Sequence, residues 1–444
     1  MSVDLTRRDF IKRAAQGTAA GLAFSAARPA VAASDKVRVG VIGPGNQGRG
    51  DMKNFVRQPD VEIVAVCDVY EPNLALALEI AGNQAQTYKD FRQVLERKDI
   101  DAVLIGAPDH WHALATVEAC KAGKDVYVEK PLSHDIHEGQ VMVEAARKYN
   151  RVVQLGTQQR SAVHFQKAAE LVQSGLLGKV SFVRTWNYAN SYPQGIGNPP
   201  DSDPPAGLDW DFWLGPAPKV PFNVNRWTSL NKGAWSCFRY FWDYAGGWMT
   251  DWGVHLIDIV QWAMQVDGPR VISSLGGKYY AEDNAQTPDT LEVSYTYENP
   301  SFVLVYELRL NNANSMYAKS YGIEFHGTDG TLFVDRSGFE LFPETRKRES
   351  KVVGLAPEMK MSSMNNSGND HVRNFIDCIK SRQRPNSDVE IGHRSTSVCL
   401  LGNVSFRSQQ RLVWDVQNQK LISGGPDAEQ YLSREYRDPW KLSA

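Results

Sequence analysis

Three short stretches of the chain carry side chains suited to proton and hydride chemistry. The first is Glu129-Lys130-Pro131. A lysine at a strand end, in a partly apolar crevice beside a cationic ring, can have a lowered pKa and hydrogen-bond a reacting hydroxyl. Lys130 is therefore a candidate catalytic group. The second is Gly246-Gly247-Trp248-Met249-Thr250-Asp251-Trp252-Gly253-Val254-His255-Leu256-Ile257-Asp258. The glycine pair permits a bend before a helix, on which Asp251, His255 and Asp258 recur at i, i+4 and i+7 and share a face. Trp252, Leu256, Ile259 and Ala263 form an apolar register opposite. A histidine beside an acid suits a general base with an orienting partner, which makes Asp251 and His255 candidates for catalysis. The same pattern also suits a solvated helix face, or two metal ligands, although no further ligand follows at a matching spacing.

The third stretch is Gly43-Pro44-Gly45-Asn46-Gln47-Gly48. It closes the β-branched run Val37–Ile42 and opens a helix. That context supplies a tight turn, close backbone approach to a pyrophosphate and a helix N-terminus aimed at it. A second strand, Val61–Cys67, ends in Asp68, twenty residues beyond Gly48. A carboxylate there accepts hydrogen bonds from a ribose and repels a 2′-phosphate, so NAD is favoured over NADP.

These groups need a frame that brings strand ends together. The alternation continues through a helix near Asp90–Arg97, the strand Ala102–Ile105, a helix near Ala113–Ala122 and the strand Asp125–Val128. It predicts a doubly wound parallel sheet with ligands beyond the carboxyl ends of its strands. Two of those ends read Ala107-Pro108-Asp109-His110-Trp111-His112 and Glu129-Lys130-Pro131. Pro108, His110, His112 and Glu129 thus join Gly43, Gly45, Asn46, Gln47, Gly48, Asp68 and Lys130 as candidate cofactor contacts. His110 and His112 read as loop histidines that line the cofactor or are simply hydrogen-bonded. An H-x-H pair can ligate a metal, but no third histidine or cysteine follows at metal spacing, so no metal is expected.

The character changes after Val152–Gly156. Helix-like Phe165–Leu171 and the strand Val180–Trp186 lead into a Pro/Gly/Asn-rich stretch from Asn190 to Pro221, long enough to suggest a binding loop. Alternating runs near Leu291–Tyr297, Phe302–Leu310, Gly322–His326 and Gly330–Val334 predict an open antiparallel sheet. The expected fold is therefore α/β followed by α+β: an N-terminal Rossmann domain over 34–155 and a substrate-binding and oligomerisation domain over 156–444. Nine of the twelve tryptophans fall between Trp186 and Trp262, and aromatic faces of this kind suit sugar rings. Two or three of them are expected to touch a ligand, the rest being packing. Candidate substrate contacts are Trp227, Trp235, Trp242 and Tyr188, with Arg160, His164 and Arg239 beside Asp251 and His255.

A chain of 444 residues, 42% hydrophobic and 23% charged, has ample surface for two packed domains. The net charge of −2, with no long run of one sign, disfavours a nucleic-acid partner. Five scattered cysteines make no disulfide framework and read as buried thiols. At the start, Thr6-Arg7-Arg8-Asp9-Phe10-Ile11-Lys12 precedes a weakly apolar Ala14–Ala27 and then Pro29-Ala30-Val31-Ala32-Ala33. This pattern resembles a twin-arginine export signal over residues 1–33, giving a periplasmic protein that begins near Ser34. No stretch approaches the ~18 apolar residues of a membrane span.

Taken together, the strand with its G-x-G-x-x-G, the Glu129-Lys130-Pro131 tripeptide and the Gly-Gly-x-x-x-Asp-x-Gly-x-His helix resemble the Gfo/Idh/MocA oxidoreductase family. The resemblance spans essentially the whole chain after the signal. It implies that Lys130, Asp251 and His255 form the catalytic group, with His255 accepting the proton of a sugar hydroxyl whose carbon gives hydride to NAD. It also implies that the sheet of the second domain forms a homo-oligomer interface. The stretch Ser367–Cys378, apolar at Val372, Phe375, Ile376 and Ile379, is similar to the C-terminal region of exported bacterial members. Some of these are NAD-dependent α-N-acetylgalactosaminidases, which oxidise the sugar transiently at C3, eliminate the aglycone and reverse the redox steps. Ala245-Gly246-Gly247 stands where related chains often carry three glycines. The expected activity is NAD-dependent oxidation of a sugar or glycoside, at C3. The alternatives are the redox-neutral glycosidase, for which the sequence offers no identifiable base at C2, and a non-catalytic sugar- or cofactor-binding protein.

Overall fold

Runs of Val, Ile, Leu and Ala bounded by turn residues become strands buried on both faces, and this is how the N-terminal half is built in the computed structural model. The structure describes residues 36–228, 236–314, 318–348, 351–364 and 366–444. Residues 1–33, which the sequence reads as an export signal, and Trp235 lie outside them. Strands β1 (Val37–Ile42), β2 (Val61–Cys67), β3 (Gln86–Tyr88), β4 (Ala102–Ile105), β5 (Asp125–Val128) and β6 (Val153–Leu155) form one sheet in the order β3-β2-β1-β4-β5-β6. All five pairings are parallel. Between them run α1 (Asn46–Phe55), α2 (Glu71–Ile80), α3 (Phe91–Glu96), α4 (Asp109–Lys121) and α5 (Ile136–Lys148). Helix α4 starts four residues earlier than the sequence suggests, so His110 and His112 sit in its first turn and not in a loop. Pro108, with φ −59°, presets the entry, and Asp109 favours the positive helix end.

The second half begins with α6 (Val163–Gln173) and β7 (Val180–Tyr188). After the aromatic-rich segment come α7 (Gly247–Asp251) and α8 (Gly253–Met264), then β8 (Val271–Gly277), β9 (Thr290–Glu298) and β10 (Ser301–Arg309). They are followed by β11 (Tyr321–Gly327), β12 (Gly330–Asp335), β13 (Gly338–Pro343), the separate hairpin of β14 (Thr345–Arg348) and β15 (Lys351–Gly354), and β16 (Met359–Ser362). Helices α9 (Ser367–Ser381) and α10 (Val389–Ser408) precede β17 (Leu412–Asp415) and β18 (Lys420–Ser423). Ten strands form one sheet in the order β16-β13-β12-β11-β7-β10-β9-β8-β17-β18. It is mostly antiparallel, as expected, but β7 and β10 run parallel. A parallel neighbour requires a crossover, here the long segment carrying α7 and α8. Buried residues alternate with exposed ones along β9, and the inner face packs on α6, α8 and α10 through Phe165, Val254, Tyr295, Leu304 and Val398.

The last part of the chain returns to the first sheet. Val372, Phe375 and Ile376 of α9 join Val39, Met52, Phe55 and Tyr127 in one apolar cluster. The Phe375 ring lies 6.2 Å from Phe55 and 5.8 Å from Tyr127. Arg373 and Lys380 on the same helix reach Asp60, at the entry to β2, at 2.7 and 2.6 Å. Near the C-terminus, Trp440 packs its ring edge 5.0 Å from Trp111. All five cysteines are buried. Among the described residues, no helix is long and apolar enough to cross a membrane.

Candidate active site

The carboxyl ends of β1, β2, β4 and β5 open on a cavity of about 400 Å³. At one end lies the turn after β1. Gly43 has φ +73°, and a Cβ there would lie 2.6 Å from the Ala107 backbone. A Cβ on Gly45 would meet nothing within 4 Å, so the backbone there is open to a ligand. A Cβ on Gly48 would lie 2.6 Å from the Gly43 carbonyl, so this glycine serves close helix-to-strand packing and does not line the cavity. Helix α1 starts with no side-chain cap, which leaves its first N–H groups for an anion. Asp68 accepts from the Tyr70 N–H at 2.9 Å and from Asn73 Nδ2 at 3.1 Å. Burial pushes its carboxyl up to about 6, against those bonds and nearby Arg49. Asn46 and Gln47 also line this end. An open turn, a free helix end and a carboxylate at the second strand end fit a dinucleotide.

At the other end Lys130, just beyond β5, donates from Nζ to Asp251 Oδ1 at 2.6 Å and to the Asp251 carbonyl at 3.0 Å. Arg239 Nε donates to the same Oδ1 at 2.9 Å. Burial opposes the Asp251 charge, yet Arg239 and Lys130 outweigh it and hold the carboxyl well below the usual range. His255 is 5% exposed, lines the cavity, and has no hydrogen-bond partner at Nδ1. Burial, reinforced by the cations Arg336 and Lys130, pushes its pKa well below the ordinary imidazole value. The result is a neutral imidazole with an unclaimed ring nitrogen, the state a general base requires.

The helix that presents these groups is not continuous. Gly247, at φ +67°, makes the bend, α7 ends at Asp251, and α8 restarts at Gly253. The break turns Trp252 into the cavity wall instead of the apolar register expected of it. Asp258 faces inward, where Arg160 binds it at 2.7 and 2.9 Å.

Of the remaining sequence candidates, Pro108, His112, Glu129, Trp227 and Arg239 line the cavity. Both ring nitrogens of His112 face carbonyls, of Pro131 at 2.7 Å and of Ala107 at 2.8 Å, leaving neither for a metal. Five candidates are corrected, each because it packs against other protein groups and does not line the cavity. His110 is fully buried against Trp213, whose carbonyl lies 3.0 Å from its Nε2. Arg160 is committed to Asp258, and His164 Nε2 lies 3.0 Å from the Asp335 carbonyl. Tyr188 hydrogen-bonds Glu307 beneath Arg309. Trp242 stacks under Arg407 at 4.8 Å.

The structure adds residues that the sequence did not single out. Asp109, the first residue of α4, lines the cavity. Burial pushes its carboxyl up to about 7, against Arg239 and Lys130. Gln158 contributes a buried Oε1 without a partner. Trp213, Trp248 and Trp252 supply aromatic walls, and Arg336 enters from the turn between β12 and β13. The tryptophan density hinted at the walls, whereas an arginine in an ordinary-looking hairpin turn gave no local signal. Among the described residues one cluster could ligate a metal, His134, Asp135 and Glu138, but the Arg434 guanidinium already stands there, 2.8 Å from Glu138.

A family model described as an oxidoreductase family's NAD-binding Rossmann fold matches residues 37–157, and one described as the C-terminal alpha/beta domain of that family matches 161–442. The uncharacterized oxidoreductase YrbE of Bacillus subtilis is 23% identical over 68% of this chain and 74% of its own length. The myo-inositol 2-dehydrogenase of Thermotoga maritima is 32% identical, and a glycosyl hydrolase family 109 protein of Shewanella pealeana is 31% identical. Each covers 33% of this chain, but 44% and 34% of their own lengths, so the chain spans less than half of either. Among solved structures, the WlbA dehydrogenase from Bordetella pertussis in complex with NADH and UDP-GlcNAcA superposes with a TM-score of 0.63 at 17% identity, over 86% of this chain and 99% of that one.

Proposed function

Since the chain belongs to the Gfo/Idh/MocA oxidoreductase family and carries its NAD-binding Rossmann domain, we propose that it oxidises a ring hydroxyl of a sugar or glycoside, at C3, with NAD. The observation that carries this reading is the neutral His255, which lines the same cavity as the Lys130–Asp251 pair. Gly43–Gln47 and Asp68 would hold NAD, which would supply the hydride acceptor. His255 receives the hydroxyl proton at a ring nitrogen. Lys130 donates to the same oxygen, its ammonium fixed by the Asp251 carboxylate. Asp251 also favours the imidazolium once the proton has moved, which offsets the burial that keeps His255 neutral beforehand. Trp213, Trp227, Trp248 and Trp252 offer flat apolar walls to a sugar ring and keep water from the reacting carbon. The related inositol dehydrogenase is consistent with a polyol substrate. Incubation of the NAD-loaded protein with a panel of sugars and glycosides tests the reading. NADH should accumulate in proportion to sugar consumed, and a panel that yields none sinks it.

Asp109 favours a second reading. A redox-neutral glycosidase needs an additional acid–base group near C2, and a cavity carboxyl near 7 is suited to that work. One of the relatives carries a glycosyl hydrolase name. Release of aglycone from an aryl glycoside with catalytic NAD, no net NADH and deuterium uptake at C2 in heavy water would promote this reading over the first. We also propose twin-arginine export to the periplasm. A chain with Arg7→Lys and Arg8→Lys should remain inside the cell, and full export of that variant would refute the signal.

A further inference from the structure

The cavity contains a cation to which the proposed reaction gives no contact with substrate or cofactor. Arg336 lies in the turn between β12 and β13, with its guanidinium 4.5 Å over the ring of Trp252. Its Nε donates to Gln159 Oε1 at 3.1 Å, and Gln159 Nε2 donates to the His255 carbonyl at 3.0 Å. Among the described residues no carboxylate lies within ion-pair distance of it. The other two cations of this end, Lys130 and Arg239, share Asp251. Glu129 and Asp109, the other carboxyls here, are both raised by burial. The sugar end of the cavity therefore holds three cations around one firmly ionised carboxylate.

A partly buried guanidinium with its terminal nitrogens unpaired is unfavourable unless a partner arrives, and its planar fork matches a carboxylate in two parallel hydrogen bonds. The Trp252 ring lies against the guanidinium, and Gln159 fixes its position relative to His255. We propose that Arg336 determines specificity in this site by receiving the carboxylate of an acidic sugar, a hexuronate or its glycoside, beside the hydroxyl presented to His255. This rests on the reading of the cavity as a sugar site and narrows it to one substrate class.

The test compares matched pairs, D-glucuronate with D-glucose and D-galacturonate with D-galactose, each free and as the methyl glycoside. Affinity for the NADH-loaded protein is measured by calorimetry and turnover with NAD by NADH formation. The acidic member of at least one pair should bind about tenfold to a hundredfold more tightly, as a charge-assisted bidentate contact provides. In Arg336→Gln that advantage should fall to within about twofold, and Arg336→Lys should keep part of it. Neutral members binding as well as acidic ones overturns the assignment. So does an equal loss for both members in Arg336→Gln, the signature of a merely structural arginine, or a failure of every acidic sugar to bind. If the acidic preference is present and depends on Arg336 while no sugar yields NADH, the dehydrogenase reading falls and the anion site stands.

Discussion

His255 is placed in a protein environment that refuses it a charge, and its consequences are measurable one residue at a time. Replacing His255 or Lys130 by alanine should lower turnover by ~10²–10⁴-fold, the range for a positioned acid–base group, while NAD affinity measured by fluorescence stays close to that of the parent. A loss confined to NAD binding would remove both from the chemistry. Asp68 allows a second experiment at this scale. Its neighbour Arg49 donates to Asn46, Asn73 and the Pro44 carbonyl, so Asp68→Ala should leave a cation beside the ribose site. The variant is expected to gain roughly tenfold or more in NADP affinity relative to NAD, measured by titration with both. Asp251 and His255 were legible because their spacing is local, and Lys130 because it stands in a short tripeptide at a strand end. Arg336 and Asp109 were not: the first is aimed by a strand pairing far along the chain, and the second is unusual only through its burial. Arg160, His164 and Tyr188 misled because a polar residue in a substrate-facing half looks the same in sequence whether it meets a ligand or a buried partner.

At the scale of elements, the break between α7 and α8 sets the geometry of the acid–base pair. The two glycines announced a bend, but not that the helix would stop at Asp251 and restart at Gly253, because that depends on Trp252 finding a place in the cavity wall. A Cβ on Gly247 would lie 2.8 Å from Thr287 Cβ in a left-handed backbone conformation. Gly247→Ala should therefore cost at least ~1–2 kcal/mol of stability in denaturant unfolding and lower turnover with it, by displacing Asp251 from Lys130. Stability equal to the parent would show that the bend tolerates a side chain. In the first sheet β1, β2, β4 and β5 were legible as continuous apolar runs, whereas β3, only Gln86-Thr87-Tyr88, offered none. In the second sheet β9 to β12 showed clear alternation, whereas β8, with its two terminal glycines, and the four-residue β17 and β18 were too weak to stand out. The parallel β7–β10 pairing is a matter of topology that no local pattern encodes.

For the molecule as a whole, titration acts on stability in two directions. Seven of the nine histidines have pKa values lowered first of all by burial, His371 and His393 to about 4. The unfolded chain protonates them below about 6.5 while the fold does not, so their contribution to stability is lost as pH falls through that value. Asp68 and Asp109, raised by burial to about 6 and about 7, act oppositely, since the fold keeps protons that the unfolded chain has released and stability declines as pH rises through the same values. Below 6.5 the histidines outnumber these carboxyls, and above about 7 none of these groups changes further. The Tm of the apoprotein should rise steeply up to about pH 6.5 and level off above about 7, and a Tm still climbing at pH 8 would contradict the balance. Phe375 tests a different whole-molecule property. It is fully buried against Phe55 and Tyr127, and Phe375→Ala should cost ~3–5 kcal/mol in denaturant unfolding. That same packing has a consequence for dissection of the protein. The nucleotide-binding sheet takes one of its covering helices, α9, from chain more than two hundred residues beyond its last strand. A fragment cut after Leu155 would therefore expose the apolar surface of Val39, Met52, Phe55 and Tyr127 that Val372, Phe375 and Ile376 cover, so the Rossmann half is not a separable module.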